Sequence, residues 1–273
     1  MLQPDNTFIR TFEIGSHIAD FNRELLPNQL FNLMQETAVS HSETLGMGWD
    51  YLHDRGLFWA LSKMDVEIIR MPQWLERIKI ITWSKEYHLL VQPRDFFVET
   101  EDGELLARAT SNWALVDLEG RPHPIEEIKD GLRHRLGCDA LEKSATRLRK
   151  VTEGEWSEPH AVVYSDLDLN QHVNNTVYIS WVMDNFSYAF HQQHRTVSSL
   201  STIWCRPCRM PATASCNRRR NPTISWLPFL KKKKGWSCVG WPPSGRKDQF
   251  SCMLLFLDSQ NSAPWISSFV GSK

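Results

Sequence analysis

The chain has 273 residues, of which 41% are apolar, with 31 basic and 32 acidic side chains. That is long enough for two domains, and the near-neutral total hides an acidic first part and a basic tail. No uninterrupted apolar run reaches bilayer length, which argues against a membrane-spanning helix.

In chain order, the start Met1-Leu-Gln-Pro-Asp-Asn-Thr has no charged segment followed by an apolar one, so no secretory leader is expected. Leu26-Pro-Asn-Gln-Leu-Phe-Asn-Leu-Met-Gln-Glu-Thr-Ala-Val-Ser-His then places Leu30, Leu33, Met34 and Ala38 at helical spacing, continued by Leu45, with Pro27 and Asn28 as start signals. Phe58 to Trp74, Ile78 to Trp83, Arg94 to Thr100 and Ala107 to Leu118 alternate apolar with polar residues between turns such as Glu101-Asp-Gly, which predicts antiparallel strands. Residues 119–155 hold Arg121-Pro-His-Pro, Gly131 and Gly137 but no long alternating run, and read as the connection between domains. Cys138 is the only cysteine of the first 198 residues. A disulfide framework is therefore excluded there, as expected in a reducing compartment.

Residues 164–181 read Tyr-Ser-Asp-Leu-Asp-Leu-Asn-Gln-His-Val-Asn-Asn-Thr-Val-Tyr-Ile-Ser-Trp. Asp166, Asp168, Asn170, His172 and Asn174 fall on alternate positions, followed by Asn175. A helix beginning near Thr176 would be capped by Asn174 or Asn175, so the polar cluster sits at a helix mouth. The first turn of a helix offers N–H donors and partial positive charge to an oxygen gaining negative charge, such as that of an acyl carbonyl. Asp168 can act there as base or nucleophile, while Asn170 and His172 orient a water or polarise the carbonyl. The plain alternative is that these residues only shape a turn and cap a helix.

The whole string resembles the active-site segment of the hot-dog thioesterases, above all the acyl-acyl carrier protein thioesterases of plants and bacteria. The resemblance covers about residues 6–195, including Arg94-Asp95 and Ala109-Thr-Ser-Asn-Trp113. It implies an α+β protein of tandem hot-dog folds, each an antiparallel sheet wrapped around a long helix. The first is expected over 1–150, with the connection from about 119, and the second over 151–273. It implies hydrolysis of fatty acyl-acyl carrier protein thioesters, ending fatty acid synthesis. Asp168 would be base or nucleophile, Asn170 and His172 would position water or carbonyl, and amides near Asn174 and Asn175 would hold the oxyanion. The first domain would hold the acyl chain, with Met34, Trp59, Met64 and Trp113 as lining candidates, though each is ordinarily a core residue. The segment from Phe12 to Glu36 weakly echoes that from Tyr164 to Asp184: strand, polar turn, amphipathic helix. Its turn, Ser16-His-Ile-Ala-Asp-Phe-Asn-Arg, lacks the full polar string, as in a duplication that left one working site.

The tail is a different kind of sequence. Residues 199–273 carry 12 of the 31 basic residues but only Asp248 and Asp258 of the acidic ones, with five of the six cysteines, no Glu and no His. Arg218 to Arg220 and Lys231 to Lys234 suggest a nucleic-acid or membrane surface, but such runs are usually just solvated and belong to no recognisable module here. Cys205-x-x-Cys208 with Cys216 suggests zinc, but no second pair completes four ligands. The reading favoured is a shift of reading frame near residues 196–204, which leaves the second domain incomplete or divergent and its activity in doubt. Pro211, Pro222, Pro228, Pro242 and Pro243 are expected to break up strands there, though Ile203 to Met210 and Phe250 to Leu257 could pair. The family's further catalytic Glu or Cys has no Glu counterpart, and Cys208 lies at the right distance with unmatched flanks.

No metal or organic cofactor is needed for this chemistry. The expected partner is acylated acyl carrier protein, with no nucleic acid and no membrane, in a bacterial cytoplasm; a homodimer stays open. Arg70, Arg94, Arg147, Arg149 and Lys150 are candidates to meet the acidic carrier, chosen for charge alone. The rival readings are a hot-dog dehydratase or hydratase, a catalytically impaired acyl binder, and an RNA-binding protein using the basic tail.

Overall fold

The computed structural model describes residues 1–135, 137–142, 155–156, 160–203, 223–224, 228–232, 235–239 and 251–259. In order these form β1 (Phe8–Glu13), α1 (Pro27–Thr44), α2 (Trp49–His53), β2 (Leu57–Ile68), β3 (Arg77–Ser84), β4 (Gln92–Thr100), β5 (Leu105–Asp117), β6 (Pro122–His123), β7 (Glu155–Trp156), β8 (His160–Ala161), α3 (Asn175–Asp184), α4 (Tyr188–Gln193), β9 (His194–Ile203), β10 (Thr223–Ile224), β11 (Pro228–Lys232), β12 (Gly235–Val239) and β13 (Ser251–Ser259). One antiparallel sheet takes the order β1-β3-β4-β5-β2-β9-β13-β12-β11-β7, with β6 on β5; β8 and β10 pair separately.

Pro27 opens α1 at a position where its missing N–H has no helical partner to lose. Leu30, Phe31, Met34, Ala38 and His41 recur at helical spacing and are buried, and Gly46 (φ 71°) follows the helix C-cap in the left-handed conformation. The core face of β2 changes parity along its length, from Leu57 and Leu61 to Met64, Val66 and Ile68. A register shift between Leu61 and Lys63 accounts for this, since one extra residue moves every later side chain to the opposite face.

Leu30, Met34 and Ala38 of α1 pack on Met64, Val66, Ile78, Ile80, Phe96, Val98, Ala107 and Ala109 of the strands, and Ile179 and Val182 of α3 join the same cluster. The two long helices therefore share one core. Within the stretch expected to connect the domains, a 3-10 helix (Ile125–Gly131) buries Ile125 and Ile128 against Met47, Leu52, Leu57 and Leu115. A third cluster, Val162, Val173, Tyr178 and Trp181, lies beneath the polar motif.

The sheet continues through the basic tail. Lys63 to Glu67 of β2 pair with Ser198 to Thr202 of β9, and β9 pairs with β13. Pro228 stands at the first residue of β11, opposite Trp156, where a missing amide is tolerated. Residues 204–210 and the Cys205, Cys208 and Cys216 group lie outside the described residues. Among the described residues no group of three or more His, Cys, Asp or Glu could hold a metal, and no helix is long and apolar enough to cross a membrane.

Candidate active site

The polar motif forms one tight turn at the mouth of α3. A 3-10 helix (Tyr164–Asp166) is closed by the Asp166 carboxylate, which accepts from Val163 N at 2.8 Å. Leu167 then bridges Val173, and between them Asp168 N donates to His172 O at 2.8 Å while Gln171 N donates to Asp168 O at 3.0 Å. Gln171 takes the left-handed conformation (φ 62°). Asp168 Oδ1 accepts from the amides of Asn170 (2.8 Å) and His172 (3.1 Å), which fixes the carboxylate in the turn. Among the described residues no hydrogen bond reaches its Oδ2.

Asn174 caps α3. Its Oδ1 accepts from Thr176 N at 3.0 Å, and its carbonyl accepts from Val177 N at 3.0 Å. Two first-turn amides are thereby used by the cap, which leaves Asn175 N, at the first helical position, as the amide not engaged by Asn174.

The rest of the chain holds this loop from the side. Trp49 Nε1 donates to Asn170 Oδ1 at 3.2 Å. Phe58, at the start of β2, tilts its ring 46° against His172 with centroids 5.4 Å apart. Thr176 Oγ1 lies 2.7 Å from Asn32 Oδ1, and Asn175 Nδ2 donates to Gln35 Oε1 at 3.4 Å. Asp168, Asn170 and His172 are half-buried, beside exposed Tyr164 and Leu169. The site thus stands where the second copy's helix meets α1 and α2. Sequence reading did not single out Trp49, Phe58 or Asn32 as site residues. The one local signal for Trp49 was the Gly46-Met-Gly-Trp49 run, which ends α1 and leaves an aromatic beside a forced turn.

The same turn occurs twice. Ser16–Ile18 forms a 3-10 helix, Ala19 bridges Leu25, Asp20 N donates to Glu24 O at 2.7 Å and Arg23 N to Asp20 O at 3.0 Å. Arg23 is left-handed (φ 63°), and Asp20 Oδ1 accepts from the amides of Asn22 (2.8 Å) and Glu24 (2.9 Å). Asp20 and Asn22 therefore stand where Asp168 and Asn170 stand. Several differences separate the copies, among them the cap, Leu26 in place of Asn174. Asn22 Nδ2 donates to Asp20 Oδ2 at 3.2 Å, so that amide folds back on its own carboxylate. Glu24 replaces His172, and α1 begins with Pro27, which has no N–H, where α3 begins with Asn175.

The other expected site residues are spread through the core. Met34 and Met64 are fully buried and Trp113 packs against the same cluster, its Nε1 donating to Ser111 Oγ at 2.9 Å; Trp59 packs against the cluster of Met47 and Leu115 instead. Two residues expected to meet an acidic partner are committed elsewhere. Arg94 is buried, with its guanidinium on His41 Nδ1 (3.0 Å), Thr82 Oγ1 (3.2 Å) and Ser84 Oγ (3.0 Å), because β4 points it into the core. Arg70 pairs with both Glu76 and Glu104 at 2.8 Å. Arg147, Arg149 and Lys150 lie outside the described residues.

Two helices, each entered from the same turn and packed on one antiparallel sheet, define a tandem hot-dog fold. That fold is shared with an acyl-ACP thioesterase from Bacteroides thetaiotaomicron (TM-score 0.77, 22% identity, 92% of this chain and 98% of that one). It is shared equally with the 12:0-ACP thioesterase from Umbellularia californica (TM-score 0.76, 21% identity, 95% of this chain and 100% of that one). Residues 5–134 match the acyl-ACP thioesterase N-terminal domain and residues 149–214 the acyl-ACP thioesterase C-terminal domain. The chain belongs to the acyl-ACP thioesterase family. It is 30% identical over 204 residues to the chloroplastic acyl-[acyl-carrier-protein] hydrolase FATB2 of Cuphea viscosissima, covering 66% of this chain and 46% of that protein. To the chloroplastic oleoyl-acyl carrier protein thioesterase 1 of Arabidopsis thaliana it is 26% identical over 206 residues, covering 68% and 55%. The chain thus spans about half the length of the curated relatives it matches.

Proposed function

We propose that the chain hydrolyses the thioester of a fatty acyl chain on acyl carrier protein, releasing the free acid and the carrier thiol. The observation that carries this reading is the turn at the mouth of α3, where the backbone amides of Asn170 and His172 hold Asp168 Oδ1 close before the helix that begins at Asn175. In this reading Asp168 takes a proton from water as its oxygen bonds to the carbonyl carbon, and Asn170 and the Asn175 amide donate to the oxygen that gains charge. Collapse of the tetrahedral centre breaks the carbon–sulfur bond, and the proton passes to the departing thiolate. His172, against Phe58, holds the water or the carbonyl in line. The acyl chain runs along the first copy's helix and sheet, where Met34, Met64 and Trp113 are candidates for its walls and Trp59 for a neighbouring one.

Thiol release from palmitoyl- and oleoyl-acyl carrier protein by the full chain, beside its Asp168→Ala variant, tests this. The expected result is release by the parent and a loss of at least a hundredfold in the variant, with carrier binding kept. Equal rates would overturn the role of Asp168. A second reading, an acyl-carrier-protein binder without turnover, is favoured by one fact: residues 199–273 contain no Glu to assist the site. Binding by the parent without thiol release would select it.

A further inference from the structure

The two copies of the turn differ most usefully in what holds the asparagine. In the first, Asn22 donates its Nδ2 to Asp20 Oδ2 at 3.2 Å, so both oxygens of Asp20 are engaged inside the turn. In the second, Trp49 Nε1 donates to Asn170 Oδ1 at 3.2 Å, and among the described residues no hydrogen bond joins the Asn170 side chain to Asp168 Oδ2. An indole N–H only donates, so the atom of Asn170 facing it must be the carbonyl oxygen. The NH2 group is then turned away from the indole as a donor.

Trp49 is built to stay there. It is the first residue of α2, its backbone amide donates to Glu43 Oε1 at 2.8 Å, and a Cβ on Gly48 would overlap that carboxylate. Its ring stacks on His53 with centroids 4.2 Å apart and planes 13° apart. At 37% exposure burial alone would not fix its pose; these two contacts do.

We propose that Trp49 is a positioning residue: it draws Asn170 off Asp168, converting a self-satisfied turn into an open one with a free carboxylate oxygen and an oriented NH2 donor. This rests on the thioesterase reading of the site. Removing the indole N–H lets Asn170 fold back on Asp168 as Asn22 does on Asp20, which occupies the base and misdirects the donor together.

Trp49→Phe keeps the ring and its stack on His53 and removes only the N–H. In the full chain, with palmitoyl-acyl carrier protein, it should lower kcat about tenfold with KM and melting temperature unchanged. In an Asn170→Ala background the same substitution should have no further effect, because the two act as one unit. A crystal structure of Trp49→Phe should show Asn170 Nδ2 on Asp168 Oδ2. Parental kcat in Trp49→Phe, or losses that multiply in the double variant, would overturn the inference while leaving the site intact. Parental kcat in Asn170→Ala would overturn the reading of the site, and the inference with it.

Discussion

Among the described residues, His41 and Arg94 lie buried side by side with no carboxylate paired to either. Burial, then the Arg94 guanidinium beside it, pushes His41 down to about 3 from its ordinary 6.5, and burial lowers Arg94 to about 10. His41 Nε2 is buried without a hydrogen-bond partner, and its ring stacks on Phe8 at 5.4 Å. A histidine whose folded pKa is depressed stabilises the fold fully above its unfolded pKa and loses that contribution as pH falls. Stability should therefore drop between pH 6.5 and about 3 by up to about 1.4 kcal/mol per unit. Asp65 works the other way: burial, then Glu67, raises it to about 6, so its protonation favours the fold as pH falls toward its ordinary 3.8. Urea unfolding across this range separates the two. The slope of stability against pH should flatten in His41→Gln relative to the parent, and an unchanged slope would mean that His41 does not carry the acid loss.

At the scale of elements, the strand that matters most is β2, which pairs with β5 on one side and β9 on the other. A chain ending at Gln193 would keep the pairing of β2 with β5 but leave the other edge of Lys63 to Glu67 without partners. An exposed edge strand is a template for association, so this shortened chain should aggregate in light scattering, whereas a monodisperse product with the parental melting temperature would show that β9 is dispensable. The helix α1 and strands β2 to β5 were legible in the sequence because their apolar periods are long and regular. Residues 122–131 were not: proline and charge concealed a short 3-10 helix that buries Ile125 and Ile128. Pro228 read as a breaker because sequence does not reveal that a proline falls on the first residue of a strand. The mouth of α3 was legible down to a cap at Asn174 or Asn175, and Asn174 is the one that caps it. Trp49 was not, because its hydrogen bond spans 121 residues and depends on how α2 leaves α1.

For the whole molecule, two copies of one turn and helix share a single sheet and a single core, and they differ in Glu24 against His172 and in Pro27 against Asn175. The echo was faint in the sequence because Asp and Asn are common in turns and Phe21, Arg23 and Glu24 match nothing in the motif. The backbone hydrogen bonds make the correspondence of Asp20 with Asp168 plain. Proline at the start of α1 removes the first amide there, and the self-contained Asn22 leaves no oriented donor. The proposed centre is thus the copy in which Trp49, from outside the turn, holds Asn170. The most direct measurement is the rate of thiol release from palmitoyl-acyl carrier protein by Asn170→Ala and Asn22→Ala side by side. Asn170→Ala should lose most of kcat while Asn22→Ala keeps the parental rate; equal losses in both, or a loss confined to Asn22→Ala, would contradict a catalytic role confined to the second copy.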